Sequence, residues 1–584
     1  MGPYALALLF PPIWETVLMR SFAAILLACI PLFGADADLI LFHGKILTVD
    51  KAFSIQQAVA VKNGRIVRTG ADRDVLANEA GPHTTKIDLQ GKTVLPGLID
   101  AHVHPLGAGL SEYRGELPPL DSFAAVQNYI RAKARTTPKG QWIVVPRTFP
   151  TRLREMRMPT RDVLDVDRDH PVLFDASYVW IVNSLGLKFS GIDRNTPNPP
   201  GGEIIKDEHG EPNGILRHAE SLVKGVSTAE VFTGQEKLDA LRKMLQRYPT
   251  IGLTTVGDRA VTEEDVAIYQ QLHAAQQLPV RVVMTWRMPT NAPTAELVRN
   301  IQQKPWVTNQ GDEWLKFGTF KVTLDGGMTI GTAYQRKPYG GIAPQLYGIS
   351  NPADRGQLFV APDKLLAIMR AARDKGWQLT AHSQGGGAVD TLLETFEKLN
   401  AEKPLAPTRS HWMHASFQSP EAIARGAKIG ILADVQPHWL YYDAPALEKV
   451  FGHEGMRYFF PLRTYLNAGI VIVGGSDHMI GFDPDRAVNF YNPFFAMWVS
   501  ITRKMRDGRV LYPEEKINRE EALRMFTNAP AYLHFKEKDR GSIEPGKLAD
   551  LVVIDRDYLT CPEDEIRSIR PVTTYLNGKA VYSK

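Results

Sequence analysis

Cysteine is almost absent from this 584-residue chain, which contains only Cys29 and Cys561. With Cys29 in a segment read below as removable, one thiol remains, no internal disulfide can form, and stability must come from the apolar core. Charge of one sign is equally scarce. Lys and Arg number 68 against 64 Asp and Glu, a formal net charge of +4, with the two signs interspersed. That leaves no basic stripe to follow a phosphate backbone and argues against nucleic acid as a partner. Long apolar runs are missing too. The run Phe22 to Phe33 falls short of the about 20 residues that span a bilayer, which argues against stable membrane insertion. Neither an internal repeat of solenoid period nor a low-complexity tract is present.

The N-terminus carries an export pattern. Met19-Arg20 precedes the apolar run, and Gly34-Ala35-Asp36-Ala37 follows it, giving the charged start, apolar centre and small-residue exit of a signal peptide. The expectation is a signal segment over 1–37, translation starting at Met19, and a secreted or periplasmic product. Cys29 sits in Leu-Leu-Ala-Cys, a weak lipoprotein-like site, but apolar Ile30 to Phe33 argue against lipid anchoring there.

Both ends of the remaining chain read as short strands. Asp38–Leu47 alternates apolar and polar residues, and apolar segments flank Asn63-Gly64 and Asn577-Gly578, the signature of β-hairpins. These regions predict one β-sandwich built from 38–92 and 541–584. Between them, over 93–540, short apolar strands alternate with helix-length stretches, the pattern of an α/β (β/α)8 barrel. Residues 105–245 break that regularity and read as an insertion. The barrel strands are expected at Thr93–His104, Gly252–Asp258, Val280–Trp286, Leu315–Val322, Gln378–His382, His411–His414, Gly430–Gln436 and Ile470–Asp477. Their C-terminal ends converge on one face, where barrel active sites lie.

That face gathers metal-binding side chains. In an extended strand residues i and i+2 point the same way, so His102 and His104 face one place together. Imidazole pairs suit zinc and similar first-row ions. His382, His414 and Asp477 each close an apolar run, so five ligand types meet at strand ends.

The sequence resembles the amidohydrolase superfamily, in the YtcJ-like (amidohydrolase-3) branch that also holds N-substituted formamide deformylases. The resemblance runs from Asp38 to Lys584. It is carried by Leu95-Pro96-Gly97-Leu98-Ile99-Asp100-Ala101-His102-Val103-His104, Lys321-Val322-Thr323-Leu324-Asp325-Gly326, Gly475-Ser476-Asp477 and the tail Gly541 to Val553. By position it implies that His102, His104, Lys321, His382, His414 and Asp477 are the metal ligands, binding one or two divalent ions, zinc first among them. In related enzymes the strand-four lysine is carboxylated to a carbamate that bridges two cations. An ammonium by itself cannot ligate a metal, and the other reading of Lys321 is a cation paired with Asp325 or with a substrate carboxylate. Two departures stand out: Met413 occupies the place of a usual glutamate before His414, and Gly385-Gly386 replaces a usual Gly-Asp.

The implied reaction is hydrolysis of an amide or other non-peptide carbon–nitrogen bond in a small-molecule substrate. A metal-activated hydroxide attacks, and Asp477 acts as general base and then acid. Arg217, His438 and His478 are candidates for substrate contact. A metal-dependent isomerase or lyase on the same scaffold, and a non-catalytic exported binding protein, are the alternatives. Homo-oligomerisation stays open.

Overall fold

The computed structural model describes residues 36–226 and 232–584. The segment expected to be a signal, up to residue 35 and with Met19 and Cys29, lies outside the described residues. Among the described residues no helix is long and apolar enough to cross a membrane.

Eight parallel strands form the barrel: β1 (Leu98–Val103), β2 (Leu253–Val261), β3 (Arg281–Arg287), β4 (Leu315–Thr323), β5 (Gln378–Ser383), β6 (His411–His414), β7 (Leu432–Val435) and β8 (Ile472–Gly474). Each pairs with its neighbour in sequence, so the sheet runs in order from β1 to β8. The two edge strands then meet. Asp477 N donates to His102 O at 2.8 Å, His104 N donates to His478 O at 2.8 Å, and Val103 bridges His478 in parallel. Gly475 permits this seam, because a Cβ there would stand 2.4 Å from His102 Cβ. Helices return the chain between strands. The helix Glu263–Ala274 after β2 begins on a capping box of Thr262 and Asp265, and Ser419 caps Pro420–Lys428 after β6.

The run Thr93–His104, expected as one strand, is two. Thr93–Pro96 pairs with Leu551–Ile554 and Lys45–Leu47, and the chain enters the barrel only at Leu98. Gly97 makes the crossing: its amide donates to Asp550 O at 2.7 Å, and a Cβ would lie 2.3 Å from Thr254 Oγ1. Asp38–Leu47 likewise divides, giving Leu39–Phe42 to a four-stranded sheet and Lys45–Leu47 to a six-stranded one. The latter sheet takes its other strands largely from residues 551–583. Leu41, Val59, Ile46, Val94, Leu551 and Val553 share one buried cluster. Asn63-Gly64 and Asn577-Gly578 both turn with positive φ at each residue (49° and 74°, 49° and 71°), as a two-residue type I′ hairpin requires. Arg281 of β3 ties this layer to the barrel, with Asp550 at 2.9 and 3.0 Å and Asn577 at 2.6 Å.

The segment read as an irregular insertion contains a five-stranded sheet, in the order Glu203–Lys206, Pro212–Arg217, Val179–Val182, Val172–Asp175, Ile143–Val145. Leu173, Val182, Leu187, Ile204 and Leu216 give it a small core of its own. Its strands are only three to six residues long. Hydrophobic alternation over so few positions is hard to separate from loop.

Candidate metal centre

The C-terminal ends of the barrel strands bring His102, His104 and Asp477 together with their ligand atoms all within 4.8 Å of one another. His104 Nε2 lies 3.1 Å and His102 Nε2 3.4 Å from Asp477 Oδ1. The His414 ring stands 4.9 Å from that of His102 and 4.5 Å from that of His382. The α/β reading of separate strand ends therefore delivers one cluster. His414 and Asp477 sit at φ of 66° and 54°, which a residue with a side chain seldom adopts. Such strain concentrates at functional sites, held there by surrounding structure.

In three of the four rings one nitrogen is engaged by the protein and the other is left for the centre. His414 Nδ1 donates to Gln436 Oε1 at 2.8 Å, and His382 Nε2 donates to Gly326 O at 3.2 Å. His102 Nδ1 faces Asp434 Oδ2 at 3.4 Å and Gln436 Nε2 at 3.1 Å. His104 Nδ1 faces Asp258 Oδ1 at 3.9 Å, and Tyr269 donates to the far oxygen of that carboxylate at 2.8 Å. Partners of this kind fix the orientation and tautomer of ligating imidazoles. Asp434 is itself anchored by Arg259 at 3.0 Å, both side chains fully buried. The sequence reasoning passed over Asp434, Gln436, Arg259 and Asp258. The signal was there in the run Gly430–Gln436, where Asp434 of β7 and Gln436 just beyond it stand two apart among mainly apolar residues.

Electrostatics favour cation binding. Burial lowers the His104 pKa to about 4 and that of His382 to about 3, and takes His414 well below the ordinary imidazole value. These rings therefore offer neutral lone pairs, the form a metal needs. Burial also opposes charge on His102, but Asp477 and Asp434 more than reverse it, so this ring attracts positive charge. Burial pushes the Asp477 carboxyl up, and the His102 and His104 rings outweigh that, leaving it well below the carboxylate range and ionised. His102 Nε2 is buried without a hydrogen bond. An orphaned nitrogen, three neutral imidazoles and an ionised carboxylate fit a divalent ion such as zinc.

Lys321, on β4, is buried, and among the described residues no hydrogen bond or ion pair reaches its amine. Burial lowers its pKa to about 8, partly countered by Asp477. Pairing with Asp325 is not what the structure shows: Asp325 accepts the amides of Tyr334, Gln384 and Gly385 at 2.9, 3.0 and 2.8 Å. This also accounts for Gly385, where a Cβ would lie 2.1 Å from Tyr334 O.

The three candidates for substrate contact separate. Arg217 is held within the protein, its buried guanidinium donating to Tyr347 O and Gly331 O at 3.0 Å each and pairing with Asp354 at 3.3 Å. His478 also has partners within the protein, with Nε2 on Gly481 O at 2.7 Å and its ring stacked on Tyr491 at 4.1 Å. His438 differs: it is buried against Phe495 at 5.5 Å, and neither ring nitrogen has a partner. It follows β7 directly, at the start of the helix Pro437–Gly455.

Comparison with known proteins agrees with this geometry. The amidohydrolase family profile matches residues 85–582. The chain is 29% identical to the N-substituted formamide deformylase of Arthrobacter pascens, over 94% of this chain and 98% of that one. It is 27% identical to the amidohydrolase candidate YtcJ of Bacillus subtilis (strain 168), over 93% of this chain and 99% of that one. An uncharacterized metal-dependent hydrolase from Pyrococcus furiosus shares the fold, with a TM-score of 0.64 and 22% identity over 89% of this chain and all (100%) of that one.

Proposed function

This chain belongs to the amidohydrolase family, and from that premise we propose that it is a hydrolase of an amide or other non-peptide carbon–nitrogen bond in a small molecule. The observation that carries the reading is the convergence of His102 Nε2 and His104 Nε2 on Asp477 Oδ1, at 3.4 and 3.1 Å, at the mouth of the barrel. A near full-length relative described as a formamide deformylase supports the choice of bond.

His102, His104, His382, His414 and Asp477 would hold the divalent ion, zinc by the preference of imidazole-rich donor sets. Lys321 would contribute as a carbamate, whose negative charge offsets the repulsion of a second ion. The chemistry a divalent ion supplies when bound is Lewis acidity, with the pKa of a water it holds falling from about 15.7 to about 7. The chain's own residues do the rest. Asp477, ionised, accepts a proton from the attacking water and returns it to the leaving nitrogen. Asp434, Gln436 and Gly326 keep the rings oriented. Burial lowers the Lys321 pKa to about 8, which raises the fraction of neutral amine that would add to carbon dioxide, forming the carbon–nitrogen bond of a carbamate and releasing one proton. His438 offers a neutral ring to the substrate, since burial, with Arg152 adding to it, lowers its pKa to about 3.

The test is a panel of formamides, N-acyl amino acids, cyclic amides and esters, assayed with zinc or manganese in isotopically labelled water. Amide cleavage with one solvent oxygen in the acid product is expected. Turnover of esters alone, or an isomerised product without solvent oxygen, would refute the assignment.

A further inference from the structure

Arg287 stands at the barrel mouth without a counter-charge. It ends β3, it is exposed, and among the described residues no hydrogen bond or ion pair reaches its guanidinium. The two-residue repeat of the strand fixes the side it faces. Thr285, two residues earlier, accepts Arg259 Nη1 at 3.2 Å inside the barrel. Trp286 packs outward instead, against Trp306, Phe320 and Trp377 at 5.6, 5.5 and 5.8 Å. Arg287 therefore lies on the lumen side. It is level with Lys321 in the register of β3 and β4, and Met288 N donates to Lys321 O at 3.0 Å. Burial lowers the Lys321 pKa, Asp477 opposes that, and the Arg287 charge adds to it, so the two cations share one field.

The inserted sheet reaches the same place. Tyr178 lies in the turn between the strands Val172–Asp175 and Val179–Val182, and its ring stands 5.1 Å from that of Phe359. The Phe359 amide donates to Leu324 O at 2.8 Å, just past the end of β4. His218, held at a φ of 47°, adds a third ring 6.0 Å from Phe359. Burial raises the Tyr178 pKa, and the Arg147 and Arg287 charges oppose it, which puts the hydroxyl within reach of the Arg287 field. Among the described residues no hydrogen bond reaches that hydroxyl or the His218 ring. An unpaired guanidinium beside a metal centre attracts an anion, and its planar fork matches a carboxylate through two parallel hydrogen bonds. We propose that Arg287 anchors a carboxylate of the substrate, with Tyr178 beside it, so that the substrate is an N-acyl amino acid or a related carboxylate-bearing amide. The assignment rests on reading the centre as a hydrolase of carbon–nitrogen bonds.

Two formamides that differ by one carboxylate test it on the zinc-loaded protein: N-formylphenylalanine and N-(2-phenylethyl)formamide. Wild type should favour the former in kcat/KM. In Arg287→Met the ratio of the two kcat/KM values should fall about 10- to 100-fold, the scale of charge-assisted hydrogen bonds to a carboxylate. Arg287→Lys keeps the charge and loses the fork, and its ratio should fall between those of wild type and Arg287→Met. Both variants should fold, because Arg287 is exposed and unpartnered. A wild-type preference for the uncharged formamide, an unchanged ratio in Arg287→Met, or loss of zinc from that variant overturns the proposal. If neither formamide is turned over, the failure lies with the hydrolase reading, and calorimetry tests the anchor by itself. 3-Phenylpropanoate should then bind wild type, and Arg287→Met about tenfold more weakly or worse, with 3-phenylpropanol as the uncharged control. No binding of the acid to wild type, or equal binding to both proteins, overturns the anchor.

Discussion

Replacing Asn489 by aspartate isolates what holds Asp477 in its left-handed backbone conformation. Asn489 is fully buried, its Nδ2 donating to Asp477 O at 2.9 Å and its Oδ1 accepting from Arg152 at 2.9 Å. Arg152 is in turn fixed by Asp443 and lies over the rings of Phe149, Trp439 and Tyr442 at 5.2, 4.9 and 4.6 Å. Aspartate keeps the acceptor toward Arg152 and removes the donor toward Asp477. The chain should stay folded, because the new carboxylate meets a guanidinium. The Asp477 carbonyl is left buried and unpaired, which costs about 1–3 kcal/mol. With φ at +54° the residue then has less to hold it against relaxing toward an ordinary conformation. If that free energy is expressed in how well the carboxylate meets a cation, zinc affinity falls about 10- to 100-fold, the usual effect of losing a partner that orients a metal ligand. Competition for zinc against a chelating dye reads the affinity, and circular dichroism reads the fold. Unchanged zinc affinity in a folded Asn489→Asp protein would show that Asn489 does not position Asp477.

Further outcomes follow from the same coordinates. His102→Ala with His104→Ala should abolish zinc binding by metal analysis and leave the far-ultraviolet dichroism unchanged, since the mouth contributes little to the barrel core. Lys321→Ala should reduce the metal content from two ions to one, whereas full occupancy with only a raised KM would eliminate the carbamate. With the Lys321 pKa lowered to about 8, the neutral amine gains as pH rises through that value, so bicarbonate-assisted loading should improve from pH about 7 to about 9. Asp550→Asn strips the buried Arg281 of its main counter-charge and should cost about 3–5 kcal/mol in denaturant unfolding. Export is a proposal with its own readout, the mass of the mature N-terminus. Ala37 is buried, its amide donating to Glu79 O at 2.9 Å and its carbonyl accepting from Thr84 Oγ1 at 2.7 Å, so a product starting at Asp38 loses both bonds, each worth about 1 kcal/mol.

Much of the architecture was legible because it depends on local periodicity. Short apolar runs alternating with helix-length stretches marked the barrel strands, and Asn-Gly between alternating segments marked both hairpins. The inserted sheet was not legible, since its strands are too short to show a period. The division of Thr93–His104 was hidden for another reason: Gly97 looks like part of a continuous apolar strand until Thr254 and Asp550 approach it.

The sequence by itself determined that His102 and His104 share a side of one strand, that His382, His414 and Asp477 close strands, and that Lys321 sits on the fourth. Those facts follow from the two-residue repeat of a strand and from barrel order. Tertiary structure alone decided which ring nitrogens the protein engages, that Arg217 is held by Tyr347, Gly331 and Asp354 while His438 is unpartnered, and that Asn489 grips Asp477. Gln436 meets His102 across 334 residues and Arg152 meets Asn489 across 337. Contacts at such separations are chosen by the packing of whole strands and loops, and no local pattern in the chain encodes them.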